Sequence, residues 1–205
     1  MLAACDIACP KDPESWRYLL WGLWESGLRV DEAMSLSWDI AGTIRLVTLK
    51  SGRLAMEIPG KRQKNRKRQT VATTPMFEEL MDDHPTKTGW VFEPTKRNGR
   101  KGRPETTAVA RGISAIGEAA QIVVNEGGKF ASGHDLRRSY GQRMADNGVS
   151  PRDLQKLMRH ASFTTTEAYY LNDQVEDISS RVFQRCTQQK LGTVDREARP
   201  ILKVV

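Results

Sequence analysis

Cysteine is scarce in this chain: Cys5, Cys9 and Cys186 are all that 205 residues hold. An odd, sparse set argues against a disulfide-stapled scaffold and reads as reduced thiols in a cytoplasmic protein. Cys5 and Cys9 stand at Cys-x-x-x-Cys spacing, but no second pair of Cys or His follows at zinc-ligand spacing, so no metal site is expected. Long apolar runs are missing as well. The most apolar segment, Tyr18 to Trp24, falls far short of the ~18 residues of a membrane span and is flanked by charge. No membrane association is expected. The first residues, Met1-Leu-Ala-Ala-Cys5, lack the charged start and apolar run of a secretory signal. No internal repeat is visible.

What the chain does have is positive charge and enough apolar residues for a core. Lys and Arg number 32 against 25 Asp and Glu, a net charge of +7, and 39% of residues are hydrophobic. That balance favours a polyanionic partner without distinguishing DNA from RNA or acidic lipid. The charge is clustered: Lys61, Arg62, Lys64, Arg66, Lys67 and Arg68 form one group, and Lys96, Arg97, Arg100, Lys101 and Arg103 another. Either cluster alone also fits a solvated loop.

Hydrophobic periodicity divides the chain into a helical, a strand-rich and a second helical part. Residues 1–12 read as a tail or linker remnant. Asp12-Pro13 is an N-cap followed by proline at the first helical position, and Trp16, Leu19, Leu20, Leu23 and Trp24 then mark one helix face until Gly27. A second short helix is expected near Asp31, carrying Ala33, Met34 and Leu36 inward. Thr43–Leu49, Arg53–Ile58 and Gln69–Thr74 alternate or carry β-branched residues, predicting a small three-stranded antiparallel sheet with the first basic cluster in its second hairpin. Pro75 opens a helix through Met81. Thr106 to Val124 has helical composition, broken by Asn125-Glu-Gly-Gly128. Capping patterns then open three helices at Ser132-x-x-Asp135, Ser150-Pro151-x-Asp153 and Thr164-x-x-Glu167, the last carrying Tyr169. A final amphipathic helix is expected from about Val175 to Gln189. The predicted class is α+β, mainly helical with a small sheet; residues 13–190 form one domain and 191–205 a C-terminal tail.

Two of the three histidines, His134 and His160, fall in a single stretch, each near a residue suited to phosphate. His134 and Arg137, at i and i+3, share a helix face in the first turn, where backbone N–H groups and the dipole welcome an anion. Arg29 follows a helix-ending Gly-Leu. Two guanidinium groups can hold a phosphoryl group bidentately while charge builds on its equatorial oxygens. Tyr169 lies nine residues after His160. A phenol is a weak nucleophile near neutral pH unless a base or nearby cations favour the phenolate. Each residue alone also has a plain structural reading: a surface Arg, a helix-terminal His, a core Tyr.

Together, and in this order, the residues resemble the tyrosine recombinases of the phage integrase family. Ser26-Gly-Leu-Arg29-Val-Asp-Glu32 resembles that family's first-arginine motif, including the acidic residue three positions on. Gly133-His134-Asp-Leu-Arg137-Arg-Ser resembles its His-x-x-Arg box, Leu157-Met-Arg-His160 its Leu-Gly-His element, and the nine-residue step to Tyr169 its nucleophile. Lys64, ahead of Gln69-Thr-Val-Ala-Thr-Thr-Pro75, resembles the family's hairpin lysine; Lys61 and Lys67 are the alternatives if the hairpin differs in length. The likeness covers about residues 15–172. Arg159 departs from it, standing where the family usually has glycine, and Arg138 stands where it often has histidine.

The resemblance implies a tyrosine recombinase catalytic fold and a site-specific DNA recombinase. Tyr169 attacks the scissile phosphate to give a 3′-phosphotyrosyl bond. Arg29 and Arg137 stabilise the transition state, His134 assists proton transfer or holds the phosphate, His160 adds a hydrogen bond, and Lys64 protonates the leaving 5′-oxygen. No cofactor, metal or ATP is implied. Double-stranded DNA is the partner, contacted by Lys61, Arg62, Arg66, Lys67 and Arg68 of the hairpin and by Arg138. The active form expected is a tetramer on two duplexes, for which Val175, Ile178, Val182 and Phe183 could supply a docking face; accessory proteins are compatible with it. The family's N-terminal core-binding domain has no counterpart before Asp12, so a catalytic fragment or incomplete recombinase is expected. Rival readings are a catalytically impaired DNA-binding protein of the same fold, a type IB topoisomerase, and an unrelated RNA-binding domain.

Overall fold

The computed structural model describes residues 1–60 and 67–170, with residues 179, 180, 183 and 187 beyond them. Among the described residues, eight α-helices and one four-stranded sheet surround a main core, with a smaller apolar cluster beside it.

The central element is α2 (Pro13–Ser26). Asp12 accepts the Ser15 N–H at 3.1 Å, Pro13 fills the first helical position, and Gly27 ends the helix in the left-handed region at φ 60°. Trp16, Leu19, Leu20 and Leu23 are buried on its inner face. Residues 1–12 do not trail away as a tail. A 3-10 turn (Leu2–Ala4) and α1 (Cys5–Ala8) pack on α5 (Thr106–Ala119), burying Cys5 and Cys9 in the main core. Burial pushes the Cys9 thiol up to about 11, the reverse of a reactive cysteine.

The sheet has one strand more than its alternation pattern predicts. β2 (Ile44–Thr48), β3 (Leu54–Ile58) and β4 (Gln69–Ala72) are antiparallel in the expected order. β1 (Leu36–Ser37) pairs with β2 in parallel. Two residues are too few to show a period, and Leu36, expected on the short helix, instead enters this strand. That helix, α3 (Val30–Ala33), is a single turn. α4 (Pro75–Asp82) begins at Thr74, which accepts the Phe77 N–H at 3.2 Å, and buries Phe77 and Met81 against α2.

Two helices end earlier than their composition suggests. α5 stops at Ala119, Gln121 turns left-handed at φ 53°, and Val123 forms an antiparallel bridge with Phe130. The β-branched Ile122-Val-Val124 run prefers that extended course. At Gly117 a β-carbon would lie 2.0 Å from the Ala131 carbonyl oxygen, so the returning chain crosses the helix there. α8 (Phe163–Glu167) starts after Ser162, ahead of the Thr164 expected to open it, and Tyr169 lies in the turn beyond its end. The helix expected from Val175 lies almost wholly outside the described residues. No described helix is long and apolar enough to cross a membrane.

α6 (Gly133–Asp146) joins the two cores. Leu136 faces the main core, whereas Tyr140 and Ala145 pack with Leu154 and Met158 of α7 (Pro151–Met158) in the second cluster. Tyr169 and Tyr170 rest against that cluster.

Candidate active site

The site forms where α3, α6, α7 and α8 meet. Its floor is set by close approaches. A β-carbon at Gly133 would fall 2.5 Å from Cγ2 of Val30, so the start of α6 sits against α3 and brings Arg137 beside Arg29. At the same helix start Ser132 and Asp135 form a capping box. Asp135 also pairs with Lys129 at 2.9 Å; burial works against its charge, but the Ser132 and Lys129 hydrogen bonds hold its carboxyl below the usual range.

Arg137 is 3% exposed. Its Nη1 donates to the Gly27 carbonyl at 2.5 Å and its Nη2 to the Met158 carbonyl, so the guanidinium bridges the end of α2 to the end of α7. Burial, helped by Arg159 and Arg29, lowers it to about 10, which still leaves it charged at neutral pH. Arg29 is half exposed at the cleft, its Nη1 donating to Glu32 at 3.1 Å. Both sit near one carboxylate, Glu32. It accepts the Arg29 backbone N–H at 2.8 Å, lies 3.1 Å from Arg29 Nη1 and 3.7 Å from Arg137 Nη1, and is gripped by Arg159. Burial raises the Glu32 carboxyl, but Arg159, the Arg29 N–H and Arg137 outweigh it and hold the group below its ordinary value.

His160 follows the end of α7. The turn closes with the Arg159 N–H on the Lys156 carbonyl at 3.2 Å and the His160 N–H on the Gln155 carbonyl at 3.1 Å. Both bonds belong to a helix end whose outer residue is left-handed. That residue is Arg159, at φ 52°. The His160 Nδ1 lies 2.9 Å from the hydroxyl of the fully buried Thr166, a contact that sequence spacing does not announce. Burial, then Arg137, Arg29 and Arg159, lower His160 to about 4, so its imidazole is neutral at neutral pH.

The Tyr169 ring lies parallel to that of His160, centroids 6.1 Å apart. Burial raises its phenol while Arg137 and Arg138 pull it down; the balance is upward, so the resting hydroxyl is protonated. Its neighbour is committed elsewhere: the Tyr170 hydroxyl donates to the Val149 carbonyl at 2.5 Å.

Two adjoining clefts share His134 and Arg137. One, about 310 Å³, adds Arg29, Val30 and Ser114; the other, about 530 Å³, adds Arg138, His160 and Tyr169. The structure therefore gathers Arg29, His134, Arg137, His160 and Tyr169, with Arg138 at the rim. Lys64, Lys61, Arg62 and Arg66 lie outside the described residues. Lys67 and Arg68 precede β4, where Arg68 pairs with Glu57 at 3.1 Å. In the second basic cluster Arg103 turns inward, stacking on Trp90 and donating to the Met34 and Phe92 carbonyls. Two cations, a phenol and a neutral imidazole around two adjoining clefts suit binding a phosphate diester and attacking it.

Comparison with known proteins identifies the family. The Phage integrase family profile matches residues 1–176. Tyrosine recombinase XerD of Brucella abortus is 28% identical over 153 residues, 74% of this chain and 46% of that protein. XerC of Pelobacter propionicus is 30% identical over 172 residues, covering 82% and 52%. The chain thus spans about half the length of these relatives. Among solved structures, XerA recombinase superposes with a TM-score of 0.55 at 20% identity, covering 90% of this chain and 61% of that one. XerH bound to its difH substrate in a pre-cleavage complex gives 0.52 at 18%, covering 87% and 50%. At these identities the likeness is one of fold.

Proposed function

The chain belongs to the phage integrase family, and from that premise we propose that it cuts and rejoins DNA strands through a covalent bond to Tyr169. The observation that carries the reading is the convergence of Arg29, His134, Arg137, His160 and Tyr169 on adjoining clefts from segments up to 140 residues apart in sequence.

In this reading the scissile phosphate lies between Arg29 and Arg137, whose guanidiniums bear the charge that builds on its equatorial oxygens. The Tyr169 Oη forms the new bond to phosphorus and the bond to the 5′-oxygen breaks. The phenol proton passes to a cleft imidazole or to the phosphate, and Lys64 returns a proton to the leaving oxygen. His134 and His160 hydrogen-bond the phosphate. One phosphoester is exchanged for another, so the bond energy is kept in the 3′-phosphotyrosyl link and ATP is not required. A second strand's 5′-hydroxyl can then reverse the step, giving recombination. Arg138 and the basic hairpin contact backbone phosphates, whose charge dominates affinity for DNA. Pairing of two duplexes within a tetramer belongs to the same reading. Of the apolar residues assigned to that contact only Phe183 is described, and it is 74% exposed.

The test needs no knowledge of the target site. Supercoiled plasmid incubated with the protein in EDTA and then denatured in detergent should carry covalently bound protein, and the Tyr169→Phe variant should carry none. Adducts that persist in the variant overturn the assignment. DNA binding without any adduct in the native protein favours a binding-only protein.

A further inference from the structure

The residue before His160 is strained in its backbone and buried in its side chain at once. Arg159 and Gln121 are the non-glycine residues with positive φ among those described, and residues other than Gly, Asn and Asp rarely take up that region. Yet the Arg159 side chain is only 3% exposed, its Nε and Nη2 lying 3.2 and 2.5 Å from the two Glu32 carboxylate oxygens, a two-pronged grip. Its Nη1 donates to the Leu157 carbonyl at 2.9 Å, so the guanidinium is fixed from both sides. Glycine would satisfy the backbone better; an arginine there points to its head group.

The ion-pair geometry supplies a reason. Three guanidiniums, of Arg29, Arg137 and Arg159, surround the single carboxylate of Glu32. Arg159 and Arg29 are both in direct contact, Arg29 Nη1 donating at 3.1 Å, whereas Arg137 Nη1 stands off at 3.7 Å and spends its hydrogen bond on Gly27. Were Arg159 absent, the buried carboxylate would draw Arg137 in beside Arg29, engaging both groups on which phosphate binding depends. Buried ion pairs missing a partner reorganise strongly, since an uncompensated charge in the interior is costly.

We propose that Arg159 is a positioning residue of this site: by occupying Glu32 it keeps Arg137 off that carboxylate and available to a bound phosphate, and the same contact ties the His160 turn to α3. The inference rests on the function proposed above for Arg29 and Arg137. Arg159 touches no substrate in this scheme. It acts through Glu32, and that dependence separates it from a residue that merely supports the fold.

The test pairs Arg159→Gly, which suits the left-handed backbone, with the double variant Arg159→Gly/Glu32→Gln, which also removes the carboxylate charge left without its partner. The amide that Glu32→Gln introduces can still accept the Arg29 N–H but has no charge with which to capture a guanidinium. Inorganic phosphate is titrated against the Nε–Hε resonance of Arg137, and adduct formation on plasmid is measured alongside. Losing the grip on Glu32 should weaken phosphate binding roughly tenfold in Arg159→Gly, and the double variant should return to within about threefold of the native protein. Arg159→Lys, which keeps the charge but not the fork, should fall between. Undiminished phosphate binding in Arg159→Gly, or no recovery on adding Glu32→Gln, overturns the proposal. The predicted phosphate pattern with no adduct in any protein sinks the cleavage reading and leaves Arg159 in place. No phosphate binding by the native protein overturns both.

Discussion

The ring of Tyr169 lies on Gly141 so closely that a β-carbon at that glycine would come 2.7 Å from its Cε1 and 2.8 Å from its Cζ. Glycine in mid-helix weakens α6 by about 1 kcal/mol relative to alanine, so its presence is explained by what rests on it. The phenol's position thus depends on an absent side chain on the neighbouring helix.

Gly141→Ala should therefore move Tyr169 without unfolding the protein, because the ring is only half-buried and can swing away. Better helix propensity and the displaced ring oppose each other in stability. Covalent adduct yield on plasmid should fall at least about tenfold, as expected when a reacting atom is misplaced by about 1 Å, while the thermal midpoint stays close to native. An unchanged adduct yield would show that the ring's resting place is irrelevant to cleavage.

Gly27 is constrained twice. It takes φ 60°, and a β-carbon there would meet the Tyr140 ring at 2.3 Å. Gly27→Ala combines backbone strain with overpacking and should cost roughly 2–4 kcal/mol. Urea unfolding measures this directly. A loss below about 1 kcal/mol would mean that Tyr140 yields easily.

His160 gives a pH signature. Burial and the cations Arg137, Arg29 and Arg159 hold it at about 4, against an ordinary 6.5. Between these values the unfolded chain binds the proton and the folded one does not. Its contribution to stability is thus complete above pH 6.5 and is lost as pH falls toward 4. An imidazole resonance inflecting near 4, and moving upward when phosphate offsets the guanidiniums, is the expected result; titration near 6.5 in the free protein would contradict the burial argument.

The adjacent tyrosines should separate cleanly. Tyr170→Phe removes the hydroxyl donated to Val149 and should cost about 1 kcal/mol in stability, leaving adduct formation intact. Loss of adducts in Tyr170→Phe with a native melting curve would exchange the roles of the two residues.

Local signals explain which parts of the molecule can be read in advance. Asp12-Pro13, Ser132-x-x-Asp135 and Ser150-Pro151 mark helix starts where they occur, because a cap is a contact among neighbours in sequence. The β2–β4 strands follow from alternation. β1 has no period to show, and the early end of α5 depends on the Ala131 carbonyl crossing Gly117, a tertiary contact. The site divides in the same way. The types and order of Arg29, His134, Arg137, His160 and Tyr169 suggest phosphate chemistry. The partners that hold them are remote: Gly27 for Arg137, 110 residues away, and Glu32 for Arg159, 127 residues away. Thr166 beside His160 is near in sequence, but a threonine in a helix carries no signal of its own.

The central claim is that Tyr169 becomes bonded to DNA. The most direct measurement is to digest the denatured protein–DNA adduct with nuclease and protease and locate the nucleotide by mass spectrometry. The account predicts one modified peptide, with the phosphate on Tyr169 and a free 5′-hydroxyl on the severed strand. A nucleotide on any other residue, or on the 5′ end of the cut, would contradict it.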